Sequence, residues 1–126
     1  MTAKNIKKIH YNKLIRDGIP IIMDEKGVKY KISRLPKKRF KLELLKKIGE
    51  ESSALPKLKN KKDIVNELAD VIAVIDELKK IYKITDRDIK IELKNNFKKK
   101  RGFNKKLFLH WSQDTGYRTN ERRYSK

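Results

Sequence analysis

Glu67-Leu68-Ala69-Asp70 decides the reading of this chain. Two carboxylates three residues apart stand about one turn apart on the same face of a helix. They are set in an apolar run carrying Ile64, Leu68, Val71, Ile72, Ile75 and Leu78. A helix that buries such a stripe keeps carboxylates at its edge, or where a cation neutralises them. Upstream, Glu50-Glu51 sits on a second amphipathic segment, residues 37–54, with apolar positions Phe40, Leu44, Leu45 and Ile48. Two antiparallel helices would bring Glu50, Glu51, Glu67 and Asp70 together as a site for a hard metal.

Working outward, the third helix is expected from Asp63 to about Tyr82. Thr85-Asp86-Arg87-Asp88 reads as a capping box with Asp88 in place of the usual Glu. It opens a fourth helix, 86–100, expected to be buried through Ile89, Leu93 and Phe97 and stopped by Gly102. Toward the N-terminus, residues 1–10 form a loose lead-in. The apolar segment from Lys13 to about Met23 predicts a short or kinked helix around Pro20. Lys26-Gly27 marks a turn, Val28 to Leu35 alternates as an extended segment would, and Pro36 suits the first turn of the next helix. Leu107-Phe108-Leu109 is expected to pack back on the bundle. These elements predict an all-α antiparallel bundle of about four helices over residues 1–109, followed by a polar, mobile tail at 110–126. The apolar stripes of helices two and three are wide for so short a chain, which predicts a homodimer or higher homo-oligomer.

At 126 residues the chain is one domain by length. It contains no cysteine, which excludes disulfides and thiolate metal sites. No signal peptide and no apolar run near about 18 residues is present, so a cytoplasmic protein without membrane attachment is expected. Lys and Arg number 35 against 16 Asp and Glu, a formal charge of +19. That excess is expected of a protein that meets polyanions, and equally of a chain from a lysine-rich proteome. The four basic and two acidic residues of 110–126 account for only +2 of it.

Each constellation has a chemical and a plainer reading. Mg²⁺ (or Mn²⁺) takes oxygen ligands and binds through a few carboxylates plus substrate phosphates, so the acidic set could hold a triphosphate. Alternatively, the acids are surface residues in i,i+4 pairs with Lys46 or Lys47. Lys98, Lys99, Lys100, Arg101, Lys105 and Lys106, around Gly102, could clamp phosphate or simply complement a helix C-terminus. Lys13, Arg16 and Asp17 form a compact polar group. His10 and His110 have no ligand spacing to another His. Trp111 could stack on a base or pack at the bundle end.

Tyr11-Asn12-Lys13-Leu14-Ile15-Arg16-Asp17-Gly18-Ile19-Pro20 resembles the opening of the phosphoribosyl-ATP pyrophosphohydrolase-like branch of the MazG-like all-α nucleotide pyrophosphohydrolases. The resemblance continues through Glu50-Glu51, Asn66-Glu67-Leu68-Ala69-Asp70-Val71, Lys100-Arg101-Gly102-Phe103 and Leu107-Phe108-Leu109, in the family's order over residues 11–109. It implies an oligomeric helical bundle that uses Mg²⁺ to cleave a nucleoside triphosphate into a monophosphate and pyrophosphate. Carried over by position, Glu50, Glu51, Glu67 and Asp70 would be metal ligands or water-orienting bases. Lys98 and Arg101 would face the phosphates, and Lys13 and Arg16, with Asp17, would bind substrate or support the site. Two departures stand out. Ala54 occupies the place of the family's third glutamate, and a single Gly102 replaces a glycine pair. With the +19 charge, these departures motivate the alternative of an inactive scaffold that binds RNA or DNA through its basic surface.

Overall fold

The computed structural model describes residues 7–114. Four α-helices follow in order: α1 (Ile19–Glu25), α2 (Lys37–Ser52), α3 (Lys61–Tyr82) and α4 (Asp86–Lys100). No strand is present among the described residues, so the class is all-α. The chain divides into two compact units, one ending at Ile89 and one beginning at Lys90.

In the first unit, α2 and α3 form an antiparallel pair. Lys41 near the start of α2 lies over the Tyr82 ring at the end of α3, 5.0 Å from its centroid. At the other end Glu51 meets Glu67 and Asp70. The seam between them is apolar: Leu44, Val74 and Leu78 are buried, with Leu14, Phe40, Ile48 and Ile81 packed around them. Val74, Leu78 and Ile81 recur at helical spacing, as one side of α3 requires. A second stripe on α3, Val65, Leu68, Ile72 and Ile75, is left open, with Val65 and Ile72 each more than half exposed.

Helix ends follow local chemistry. α3 begins two residues before the expected Asp63, because Asn60 is the cap: its Oδ1 accepts the Asp63 N–H at 2.9 Å. At the other end Lys83 takes a left-handed conformation (φ 55°) and Ile84 N–H donates to the Lys79 carbonyl at 2.8 Å. That is a Schellman closure with lysine where glycine is usual. α1 is shorter than the Lys13–Met23 segment suggests, because Pro20 lies in its first turn and starts the helix rather than kinking it. Gly27 closes α1 at φ 67°. Residues 28–35 have no strand partner and stay irregular; the Tyr30 hydroxyl donates to Asp24, which raises its pKa. Pro36 sits just before α2 rather than within its first turn, and α2 ends at Ser52, two residues short of Ala54.

The capping box is formed: Asp88 N–H donates to Thr85 Oγ1 at 3.1 Å, and Thr85 N–H donates to an Asp88 carboxylate oxygen at 2.9 Å. The Thr85 backbone N–H and then its hydroxyl hold the Asp88 carboxyl below the usual carboxylate range. Lys79, bonded to Asp86, likewise lowers the Asp86 pKa. A carboxyl depressed in the folded state stabilises fully above its unfolded pKa, and this is lost as pH falls through the lower, folded value. The stability advantage of the wild type over Asp88→Ala is therefore expected at neutral pH and should narrow below about pH 4. Thermal melts of the two forms across that range, followed by circular dichroism, would show it; a gap independent of pH would remove the carboxylate from the cap.

The second unit differs from expectation. Ile89, at the boundary, and Leu93 and Phe97 beyond it are exposed, not buried. Arg101, rather than Gly102, takes the left-handed conformation that ends α4 (φ 66°), its N–H returning to the Phe97 carbonyl at 2.9 Å. Leu107, Phe108 and Leu109 lie in irregular backbone and are more than two-thirds exposed. Residues 1–6 of the expected lead-in and 115–126 of the expected tail lie outside the described residues.

Candidate metal centre

The apolar seam changes character at its N-terminal α3 end. On α2 the buried line through Leu44 continues one turn on to Lys47 and then to Glu51; on α3 the line Leu78, Val74 continues back to Asp70 and Glu67. Because the helices are antiparallel, both continuations arrive at the same place. One carboxylate oxygen from each of Glu51, Glu67 and Asp70 lies within 4.8 Å of the others, all three residues partly buried. An ion held at ordinary oxygen distances spans about 4–5 Å between opposite ligands, so this spacing suits a divalent cation. An all-carboxylate donor set favours a hard ion of the Mg²⁺ or Mn²⁺ kind.

Two cations of the chain face this cluster. Arg16 donates to Asp70 Oδ1 at 3.0 Å. Lys47 Nζ lies 3.3 Å from Glu51 and 3.5 Å from Glu50, and donates to the Leu14 carbonyl at 2.8 Å. The Lys47 side chain is only 13% exposed, and an ammonium so largely shielded from water requires such a set of acceptors. The turn that places Arg16 is fixed by Ile19 N–H, which donates to the Arg16 carbonyl at the head of α1. The N-terminal segment is thus fastened to the helix pair at Leu14 and at Arg16.

Three of the four expected acids are brought together. Glu50 is on the neighbouring, more exposed side of α2 and faces Lys47. The surface-pair reading of these acids is met in part, since Lys47 pairs with both Glu50 and Glu51, while Lys46 pairs with Glu43 instead. Lys13 is exposed, its ammonium 5.5 Å from the Tyr11 ring centroid, and Asp17 is exposed. Lys98 and Arg101 are exposed at the end of α4, in the second unit.

Ala54 lies past the end of α2, exposed, at the head of a single 3-10 turn formed by Leu55–Lys57. Asp63, one turn before Glu67, does not join the cluster: its carboxylate accepts from the Asn60 side-chain amide at 2.9 Å, closing the cap of α3. Lys47 is the residue that sequence reasoning treated only as a surface partner. Its signal was its place one turn before Glu51 on the buried line through Leu44, where a solvated lysine is not expected. An open depression of about 410 Å³ along α2, lined by Pro36, Lys38, Arg39, Leu42, Glu43 and Lys46, shares no residue with the acid cluster. No helix among the described residues is long and apolar enough to cross a membrane. No protein-family model, curated protein or solved structure matches the chain.

Proposed function

We propose that this protein is a divalent-cation-dependent nucleotide pyrophosphohydrolase of the MazG-like kind, cleaving a nucleoside triphosphate to a monophosphate and pyrophosphate in the cytoplasm. The observation that carries the reading is the convergence of Glu51, Glu67 and Asp70 from two helices to within 4.8 Å. These three would hold Mg²⁺ or Mn²⁺. Bound there, the ion would supply positive charge to the phosphates and a water of lowered pKa. Glu67, which pairs with neither Arg16 nor Lys47, has a second oxygen able to orient that water or accept its proton. The water oxygen forms a bond to phosphorus, the bond to the pyrophosphate oxygen breaks, and pyrophosphate leaves. Lys13 and Arg16 are the cations of this unit proposed for the phosphates, and Glu50 supports the site through Lys47. The test is pyrophosphate release from a panel of standard and modified nucleoside triphosphates, with Mg²⁺ or Mn²⁺.

The open stripe Val65, Leu68, Ile72 and Ile75 supports a homo-oligomer. A helix apolar on two sides buries both in a stable protein, and among the described residues a core of three buried side chains is small. Ile72→Glu is expected to shift the protein to monomer in sedimentation velocity at micromolar concentration. An unchanged sedimentation coefficient would leave that stripe outside any interface.

A second reading has its own support. From Leu93 to Gln113 the chain carries seven Lys or Arg and no Asp or Glu. Phe97, Phe103, Phe108 and Trp111 are 60%, 95%, 80% and 78% exposed within it. Cations interleaved with exposed rings suit single-stranded RNA or DNA, whose bases stack on aromatics. Silence of the nucleotide panel, together with oligonucleotide binding that falls steeply with salt, would favour an inactive scaffold of this kind.

A further inference from the structure

The N-terminal segment and the acid cluster share a residue. Arg16 occupies an oxygen of Asp70, the same carboxylate that completes the cluster with Glu51 and Glu67. Lys47 in turn spans Glu51, Glu50 and the Leu14 carbonyl. A divalent cation drawing on Asp70 and Glu51 competes with both ammonium and guanidinium, but the two competitions are unequal. The Lys47 side chain is 13% exposed, and Glu50 and Leu14 remain as acceptors once Glu51 turns away. The Arg16 side chain is 63% exposed and pairs with Asp70.

We propose that the segment Leu14–Asp17 is a strap whose Arg16 end is exchanged by cation binding. The ion takes Asp70, Arg16 is released toward solvent and becomes available to an anionic ligand, and Lys47 keeps the Leu14 end in place. Arg16 is in this sense a positioning residue that couples the cluster to the N-terminal segment. Glu50 serves as the acceptor that keeps Lys47 neutralised during the exchange. The proposal rests on the metal-centre reading above. Coupling of this kind is reciprocal: if the ion displaces Arg16, then Arg16 weakens the ion. An exposed ion pair is weak, which sets the size of the effect at about two- to fivefold in affinity.

Calorimetric titration of the full-length protein with Mn²⁺ alone tests this, using wild type, Arg16→Gln and Arg16→Lys. Amide hydrogen exchange at Ile19, whose N–H is bonded to the Arg16 carbonyl, measured in the wild type with and without Mn²⁺, is the second readout. Arg16→Gln is expected to bind Mn²⁺ about two- to fivefold more tightly, Arg16→Lys to stay near wild type, and exchange at Ile19 to quicken when Mn²⁺ is added. Equal affinities with unchanged exchange would overturn the strap and leave the metal centre standing. Weaker binding by Arg16→Gln would overturn it too, making Arg16 a support of the site rather than a competitor. No binding by any form would remove the metal centre itself, and the strap with it.

Discussion

Asp70→Ala is expected to lower pyrophosphate release by at least about a hundredfold on any triphosphate the wild type cleaves. Loss of a group that only supports a metal ligand already costs about 10- to 100-fold, and Asp70 is proposed as a ligand. Glu67→Ala and Glu51→Ala should fall in the same range, since the three oxygens form one cluster. Glu50→Gln should lose less, because Glu50 faces Lys47 instead. The fold should survive Asp70→Ala: Asp70 pairs with a mostly exposed arginine, and such pairs contribute about 0–1 kcal/mol. Comparable circular dichroism of the two proteins beside a lost activity would place the effect in the chemistry. Full activity in Asp70→Ala would end the metal-centre reading.

Leu44→Ala is expected to cost about 2–5 kcal/mol, a large share of the roughly 5–15 kcal/mol that holds a typical domain folded. Leu44 is 5% exposed and, among the described residues, is one of three buried side chains, with Val74 and Leu78, at the α2–α3 seam. A cavity there has few other contacts to absorb it. The neighbouring Leu45 is 51% exposed, so Leu45→Ala should cost under about 0.5 kcal/mol in an isolated chain. Urea titrations of both variants at two protein concentrations would measure this. A Leu45→Ala cost that approaches that of Leu44→Ala, with midpoints rising with concentration, would mean that a second copy covers this side of α2. A Leu44→Ala protein as stable as wild type would mean that the seam is not what holds the unit together.

Both expectations depend on the register between α2 and α3, which is also what separates the two sources of information. Sequence by itself determined the helices whose signals are local. The Thr85–Asp88 cap is written in residue types at fixed spacing, and α3 and α4 end at the expected Tyr82 and Lys100. It also placed Glu67 and Asp70 on one face, because three residues make about one turn. Helix starts were less legible where the signal was another residue's side chain, as with Asn60 ahead of Asp63. The left-handed closures at Lys83 and Arg101 carry no glycine to announce them.

Only the tertiary structure decided which acids meet. Glu50 and Glu51 are equivalent in sequence, adjacent and chemically alike. The crossing of α2 over α3 turns Glu51 toward Glu67 and Asp70 and leaves Glu50 to Lys47. Nor could sequence show that Lys47 reaches the Leu14 carbonyl or that Arg16 reaches Asp70, 54 residues away. Apolar periodicity identified which residues can be buried, but burial requires a partner surface. Leu44, Val74 and Leu78 have one within the unit; Leu68 and Ile72, on the same apolar helix, do not. Helical pattern is a property of neighbouring residues, while the site and the core are properties of what the second helix brings against the first.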